Sequence, residues 1–192
     1  MMPVLVFLLV AMVGVGFIYL VSLYNGLVRL KNNVSKAWAN IDVLLKQRHD
    51  ELPKLIETCK QYMKFESGTL EKIMQARAAV YSARESGNVQ SVGAAEGQLR
   101  GLMGGLFAVA ENYPELKSNA TFQSLQTRIS SLENAISDRR ELYNESANLN
   151  NSRREMFPDS LVASFGNFPA AALLRFDATE TKDVDVRAAF QS

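Results

Sequence analysis

The chain has 192 residues, with 21 Lys and Arg against 20 Asp and Glu, one histidine and one cysteine. This nearly neutral balance excludes the broad basic surface that nucleic acid binding needs, so no nucleic acid partner is predicted. The single cysteine, Cys59, excludes an internal disulfide and a Cys-x-x-Cys metal or redox site.

The first element is an apolar segment from Pro3 to Leu23 that contains no charged residue. As a helix rising about 1.5 Å per residue, it is long enough to cross a hydrocarbon layer of about 30 Å. A cleaved signal peptide is disfavoured, because it would need a basic stretch before the apolar core and small residues at a cleavage site, and neither is present here. A buried core helix is also disfavoured, because a small domain cannot easily cover such a long apolar run. The sequence therefore predicts a transmembrane anchor over residues 1–23.

Charged and aromatic residues near the end of this segment indicate its orientation. Arg29, Lys31 and Lys36 follow the segment, whereas only the terminal amine precedes it. Lys and Arg close to a span tend to stay on the cytoplasmic side, and tyrosines such as Tyr19 and Tyr24 commonly anchor a helix at the headgroups. We therefore predict a single-pass membrane protein, with its N-terminus outside and the rest of the chain in the cytoplasm.

Past the anchor, apolar residues recur at alternating steps of three and four, which indicates helices with one buried face. The first helix is predicted to reach about Lys64, with a kink or a break near Pro53. Further helices are predicted over about 70–85, from about Val92 to Tyr113-Pro114, and from the Asn119 cap to Pro158. No segment alternates as a strand does. The predicted fold class is all-α, with an N-terminal transmembrane helix that continues into a long antiparallel helical bundle.

The boundaries predicted from this pattern are an anchor over 1–23, the antiparallel bundle over 24–158 and a C-terminal tail over 159–192, apolar and then polar. Summed helix lengths place Pro158 back near the bilayer surface. The apolar part of the tail has no helical face long enough to bury it in one bundle. It is either frayed and disordered, or it docks onto a neighbouring subunit or the headgroup layer. The candidate interaction residues are Phe165, Phe168, Leu173, Leu174 and Phe176, together with Trp38 on the membrane-proximal helix.

Several charged residues fall on or near the apolar faces of the predicted helices. They are Arg48, Arg77, Arg84 and Arg139 on the basic side, and Asp42, Glu66 and Glu133 on the acidic side. We expect ion pairs between helices, with packed arginine stems and hydrogen-bonded guanidinium groups that fix the register. The alternative is a polar binding cleft.

Residue types that carry catalysis are sparse. His49 and Cys59 cannot supply three His or Cys ligands for a catalytic zinc, and no Glu-x-x-His pair is present for a di-iron site. No phosphate-binding loop occurs, since Gly101, Gly104 and Gly105 fall inside a helical pattern, where glycine permits close helix approach. No catalytic residue, metal site or cofactor is predicted, and the chain is predicted not to be an enzyme.

Many residues at fixed spacings carry a resemblance to a known family. They are Tyr24-Asn25, Leu27-Val28, Ala37-Trp38, Ile41-Asp42-Val43, Leu45-Lys46, Arg48-His49-Asp50, Pro53, Glu66, Arg77, Tyr113-Pro114, Leu116-Lys117, Asn119, Phe122, Leu125-Gln126, Glu133-Asn134, Ile136, Arg139, Tyr143-Asn144 and Phe157-Pro158. The pattern resembles the LemA family of bacterial membrane-anchored helical proteins over about residues 20–165. The resemblance implies one N-terminal membrane helix and a long antiparallel bundle, and it brings no established enzymatic activity. Relatives are associated with membrane protease systems and with magnetosome formation.

These observations predict a non-enzymatic membrane-anchored scaffold or adaptor that assembles into a homo-oligomer. The alternatives are a monomeric adaptor or sensor for a membrane protease or an envelope-stress factor, and an enzyme with an unrecognised site. The predicted partners are the lipid bilayer, further copies of the chain and another membrane protein. Exposed aromatic side chains at Tyr62, Phe65 and Phe107 would favour the oligomer, because a lone bundle does not keep an apolar patch in water.

Overall fold

The computed structural model describes residues 2–176, so the polar end of the predicted tail, 177–192, lies outside the described residues. This part of the chain forms helices and no strand, which confirms the predicted all-α fold class. The helices are α1 (Met2–Tyr62), α2 (Ser67–Glu85), α3 (Val89–Ala110), α4 (Pro114–Lys117), α5 (Ala120–Glu155) and α6 (Asp159–Phe165), with a 3₁₀ turn at Lys64–Glu66.

Helix α1 continues through Pro53 as one long helix, so of the two predicted alternatives, a kink or a break, the break is not found. Proline removes one backbone donor and crowds the preceding turn, which favours an interruption in an isolated helix. Here Leu52, Leu55 and Ile56 on both sides of the proline are buried. Tertiary packing supplies most helix stability in proteins, so we attribute the continuity of α1 to the burial of these neighbours.

Two asparagine caps define helix starts. Asn88 Oδ1 accepts hydrogen bonds from the backbone N–H groups of Gln90 and Ser91, at 3.0 and 3.1 Å, and so begins α3. Asn119 Oδ1 accepts from the N–H of Phe122 at 3.0 Å, which confirms the predicted cap of α5. These oxygens satisfy N–H groups that have no partner within their own helix.

Contacts divide the chain into two compact units. Unit 1 is Met1–Asn40 with Glu141–Ala172, and unit 2 is Ile41–Arg140 with Leu173–Ser192, of which 173–176 are described. Helices α1 and α5 therefore each contribute to both units. This division assigns the apolar segment and 159–172 to the same unit, whereas the division into anchor, bundle and tail stays a prediction.

Unit 2 has a continuous apolar core built from the faces that the helical periodicity predicts. Helices α2 and α3 pack against each other there, and α1, α4 and α5 contribute further buried side chains. The fully or nearly buried members include Leu52, Leu55, Cys59, Leu70, Ile73, Leu99, Met103, Leu106, Leu116, Phe122 and Ile129. Burial raises the pKa of the Cys59 thiol to about 11, so the reactive thiolate is scarce at neutral pH.

Unit 1 contains the apolar segment of α1 and the residues that pack against α1 just after this segment. Residues 3–22 are all exposed, and Leu23 is the first buried side chain of α1. A small core follows, in which Leu27 of α1 packs with Ala163 of α6 and with Phe168. Helix α6 therefore lies against α1 just past the last residue of the apolar segment.

Candidate functional site

The most buried charges of unit 2 form one cluster across three helices. Arg48 of α1 donates from Nη2 to Glu96 of α3, and from Nη1 to Glu133 of α5 at 2.5 Å. Arg48 and Glu96 are 2% and 1% exposed. The second oxygen of Glu133 lies 3.7 Å from Nε of the exposed Arg100. The cluster ties α1, α3 and α5 together at a single level.

Burial and charge pairing act differently on the two buried members of this cluster: burial at Arg48 is outweighed by the carboxylates of Glu96 and Glu133, which together raise the pKa of Arg48, whereas burial dominates at Glu96. Removal from water raises the pKa of the Glu96 carboxyl, and the neighbouring Arg48 guanidinium only partly opposes the rise. One oxygen of Glu96 is buried with no hydrogen-bond partner among residues 2–176. A pair so enclosed offers no open face to a substrate, and loss of one member leaves a buried charge behind. The arrangement suits the fixing of helix register more than it suits catalysis.

The other predicted charged residues occupy different settings. Arg84 Nε donates to Asp42 Oδ1 at 2.7 Å, which joins α2 to α1. Arg77 Nε donates to the backbone carbonyl of His49 at 2.9 Å, not to a carboxylate. Glu66 accepts a long hydrogen bond of 3.4 Å from the hydroxyl of Thr69. Arg139 is exposed on α5.

Glu96 is the cluster residue that the sequence analysis missed. It lies four residues after Val92 and three before Leu99, both of which are buried on α3. This spacing places Glu96 in the centre of the apolar face of its helix. The position was readable from the sequence, because a carboxylate inside an apolar face calls for a basic partner.

Trp38 makes an internal contact in unit 1. It is half-buried, and its ring lies edge-on to that of Tyr143, with centroids 5.5 Å apart. The Tyr143 hydroxyl donates to the carbonyl of Ala172 at 2.8 Å. Asn151 donates to the carbonyl of Ala171 and accepts from its N–H, at 2.9 and 2.8 Å. These side chains hold the segment after α6 along α5.

The predicted interaction residues of the tail separate into buried and exposed groups. In unit 1, Phe168 is buried and lies 5.5 Å from the Tyr24 ring. In unit 2, Leu174 and Phe176 are buried, and the Arg140 guanidinium stacks 4.4 Å from the centre of the Phe176 ring. Leu173 is half-buried, and Phe165 is 91% exposed.

This distribution corrects the expectation that one bundle cannot bury these side chains. Residues 167–172 form no helix and are held along α5 of unit 1, and residues 173–176 pack within unit 2. A non-helical segment needs no long helical face, because single side chains can enter gaps between helices one at a time. Phe168, Leu174 and Phe176 are therefore buried by contacts within the chain. Of the five predicted interaction residues of the tail, only Phe165 is almost fully exposed.

Two glycines of α3 accommodate the backbone of residues 173–176, which we call the strap. A Cβ atom at Gly93 would overlap the carbonyl oxygen of Arg175, and one at Gly97 would overlap the carbonyl oxygen of Phe176. By contrast, nothing lies within 4 Å of a Cβ built at Gly101, Gly104 or Gly105. The close approach to a glycine of α3 that was expected at Gly101, Gly104 or Gly105 is found instead one and two turns earlier, at Gly97 and Gly93. The neighbour there is the backbone of the strap.

An apolar patch remains on the surface of unit 1. It consists of Met156, Phe157, Leu161 and Phe165, which are 58%, 80%, 55% and 91% exposed, and we call it the α6 patch. Leu161 and Phe165 are four residues apart on α6, so they share one face of that helix. Residues 2–176 hold no group of three or more His, Cys, Asp or Glu side chains that could bind a metal.

These features define an all-helical protein with an exposed N-terminal apolar helix, of the length and composition of a membrane anchor or a signal sequence. The LemA family model matches residues 37–188, so the chain belongs to the LemA family, as the resemblance predicts. The chain is similar to Protein LemA of Metamycoplasma hominis, with 29% identity over 176 residues, which cover 91% of this chain and 78% of the relative. The LemA family is not a known enzyme family.

Proposed function

We propose that this protein is a non-enzymatic scaffold or adaptor that α1 anchors in the bacterial inner membrane. The observation that carries the proposal is the full exposure of the apolar residues 3–22. Soluble proteins rarely leave such a long apolar surface in water, and lipid tails are the solvent that covers it without cost.

The end of the apolar segment supports a retained anchor over a removed leader. Leu23 is buried, and Leu27 packs with Ala163 and Phe168 in the core of unit 1. Helix α1 also continues from the apolar segment to Tyr62 without a break. A chain that began just after Leu23 would place Leu27 and its core contacts in the first turn of α1, where helix ends fray.

The proposed orientation has the N-terminus outside and the helical units in the cytoplasm, because Arg29, Lys31 and Lys36 follow the span. We expect a C-terminal epitope tag to resist protease added to intact spheroplasts and to be digested once the membrane is opened with detergent. A periplasmic marker digested in both samples is the control. Digestion of the tag in intact spheroplasts would reverse the orientation.

Self-assembly is the second part of the proposal. A Cβ atom added at Gly14 or Gly16 of the span would have nothing within 4 Å, which leaves room for a neighbouring span. Of the three aromatic residues expected to report on assembly, Tyr62 and Phe107 pack partly against the core of unit 2. Phe65 is 95% exposed and is the surface aromatic that a second copy would cover.

Native mass spectrometry of the full-length protein in mild detergent tests the assembly. We expect the mass of an assembly of two or more subunits. We expect Phe65→Ser to shift the distribution of masses toward species with fewer subunits. Phe165→Ser is the matched control, because it removes an equally exposed phenylalanine from unit 1, and it should leave the mass unchanged. A wild-type mass of one subunit would contradict the homo-oligomer and would favour the monomeric adaptor or sensor.

A further inference from the structure

Helix α6, which carries Leu161 and Phe165 of the α6 patch, lies beside the part of α1 that follows the apolar segment. Within unit 1, Ala163 and Val162 of α6 pack against Leu27 and Val28 of α1. Phe168, just beyond α6, contacts Tyr24 edge to face. The level of α6 along α1 is therefore set by contacts with residues 24–28.

Helix geometry converts these contacts into a depth. Leu27 follows Leu23 by four residues, which corresponds to a rise of about 6 Å along α1. The polar interfacial layer adds about 5 to 8 Å to each side of a hydrocarbon core of about 30 Å. If the apolar segment spans the core, α6 lies at the level of the headgroups. This step rests on the membrane anchor of the proposed function.

The composition of α6 and its surroundings fits that level. One side of α6 is buried through Asp159 and Ala163, and the opposite side exposes Leu161 and Phe165. A short helix with aromatic and leucine side chains on one face is suited to the boundary between headgroups and acyl chains. Exposed basic residues at Arg29 and Lys31 follow on α1 and favour anionic lipid.

We propose that the α6 patch is a second lipid contact, which inserts Phe157, Leu161 and Phe165 into the headgroup layer on the side of the membrane where the span ends. The patch and the exposed span belong to the same unit, and the buried side of α6 contacts α1 at Leu27 and Val28, just past the end of the span. The patch, on the other side of α6, is therefore held close to the level at which the span ends. A second copy of the chain is the rival occupant, and the experiment below separates the two.

Fluorescence quenching in vesicles tests the contact on the full chain. Phe165→Cys, at a 91% exposed position, is labelled with an environment-sensitive NBD probe at neutral pH, where the buried Cys59 thiol with its pKa of about 11 does not compete. The protein is reconstituted into vesicles of phosphatidylcholine and phosphatidylglycerol. We expect a blue-shifted emission, and a loss of emission that is larger with a nitroxide on the lipid headgroup than with one deep in the acyl chain.

Two matched positions in unit 1 give the controls. Glu145→Cys is on the exposed side of α5, ten residues before its end and about 15 Å of helix rise away, so its probe should not be quenched by either lipid. Val13→Cys lies inside the span, so its probe should be quenched by the nitroxide in the acyl chain.

The outcomes separate the inference from the proposed function. A Val13 probe that lipid nitroxides do not quench overturns the membrane anchor itself. A quenched Val13 probe with an unquenched Phe165 probe leaves the anchor standing and overturns the second lipid contact. A Phe165 probe that is blue-shifted but unquenched by lipid, and shielded from aqueous iodide, assigns the patch to a second copy and also overturns the inference.

Discussion

Replacement of Arg48 by alanine is expected to lower the free energy of unfolding by about 3 to 5 kcal/mol. The substitution strands Glu96, which is 1% exposed and already holds one oxygen without a hydrogen-bond partner among the described residues. It also removes the contact with Glu133. Urea or thermal unfolding of the full-length protein in detergent, followed by circular dichroism, measures the loss.

Two further variants separate the stranded charge from a general loss of packing. The double variant Arg48→Met with Glu96→Met removes both buried charges and keeps apolar volume, so it should recover most of the stability. Arg128→Ala removes an exposed arginine that pairs with Glu51 at 3.0 Å, and it should cost no more than about 1 kcal/mol. An Arg48→Ala variant as stable as Arg128→Ala would contradict the role of the cluster.

Alanine at Gly97 is expected to destabilise unit 2 by about 1 to 3 kcal/mol, the usual cost of overpacking. Its Cβ would overlap the carbonyl oxygen of Phe176, and the atoms in the way are backbone, which cannot rotate aside. The strap must shift, and Leu174 and Phe176 then lose their buried positions. The loss is measured as a lower melting temperature, with faster tryptic cleavage after Arg175 as a local readout.

The same helix offers a matched control for this glycine. Gly101 lies one turn further along α3, and a Cβ atom added there would have nothing within 4 Å. Alanine there should stabilise the protein by about 0.5 to 1 kcal/mol, since glycine is a poor helix residue. The two substitutions are chemically identical, so their opposite signs isolate the contact with the strap. If Gly97→Ala melts at or above the temperature of Gly101→Ala, the strap does not depend on this contact.

The helices were predictable because one physical rule governs most of them. Apolar side chains repeat at steps of three and four wherever a helix covers a core, and buried residues such as Leu45, Leu99, Phe122 and Ile129 follow that rule. The Asn119 cap was equally local, since its oxygen bonds to an N–H only three residues away. A break at Pro53 stayed open as an alternative because the local penalty of proline is visible in the sequence, whereas the packing of Leu52 and Leu55 that outweighs it is not.

The candidate site was predictable in part. Arg48 and Glu133 were recognised because each stands on or near an apolar face, and Asp42 was recognised for the same reason. Arg77 shows the limit of that reasoning, since its partner is a backbone carbonyl, which every residue possesses and no pattern distinguishes. The role of Gly93 and Gly97 was hidden for a related reason, because the atoms they contact belong to a backbone about 80 residues later in the chain.

The strap also determines where unit 2 can be shortened. Its contact with α3 is made by main-chain oxygens that lie over Gly93 and Gly97, so the exposed side chain of Arg175 is free to vary, whereas Leu174 and Phe176 are buried. A chain cut before Leu173 would lose the backbone that covers α3 at Gly93 and Gly97. We therefore expect truncated forms that end before Phe176 to associate with unfolded chains through the uncovered surface of α3. A C-terminal fusion partner should be attached after Phe176.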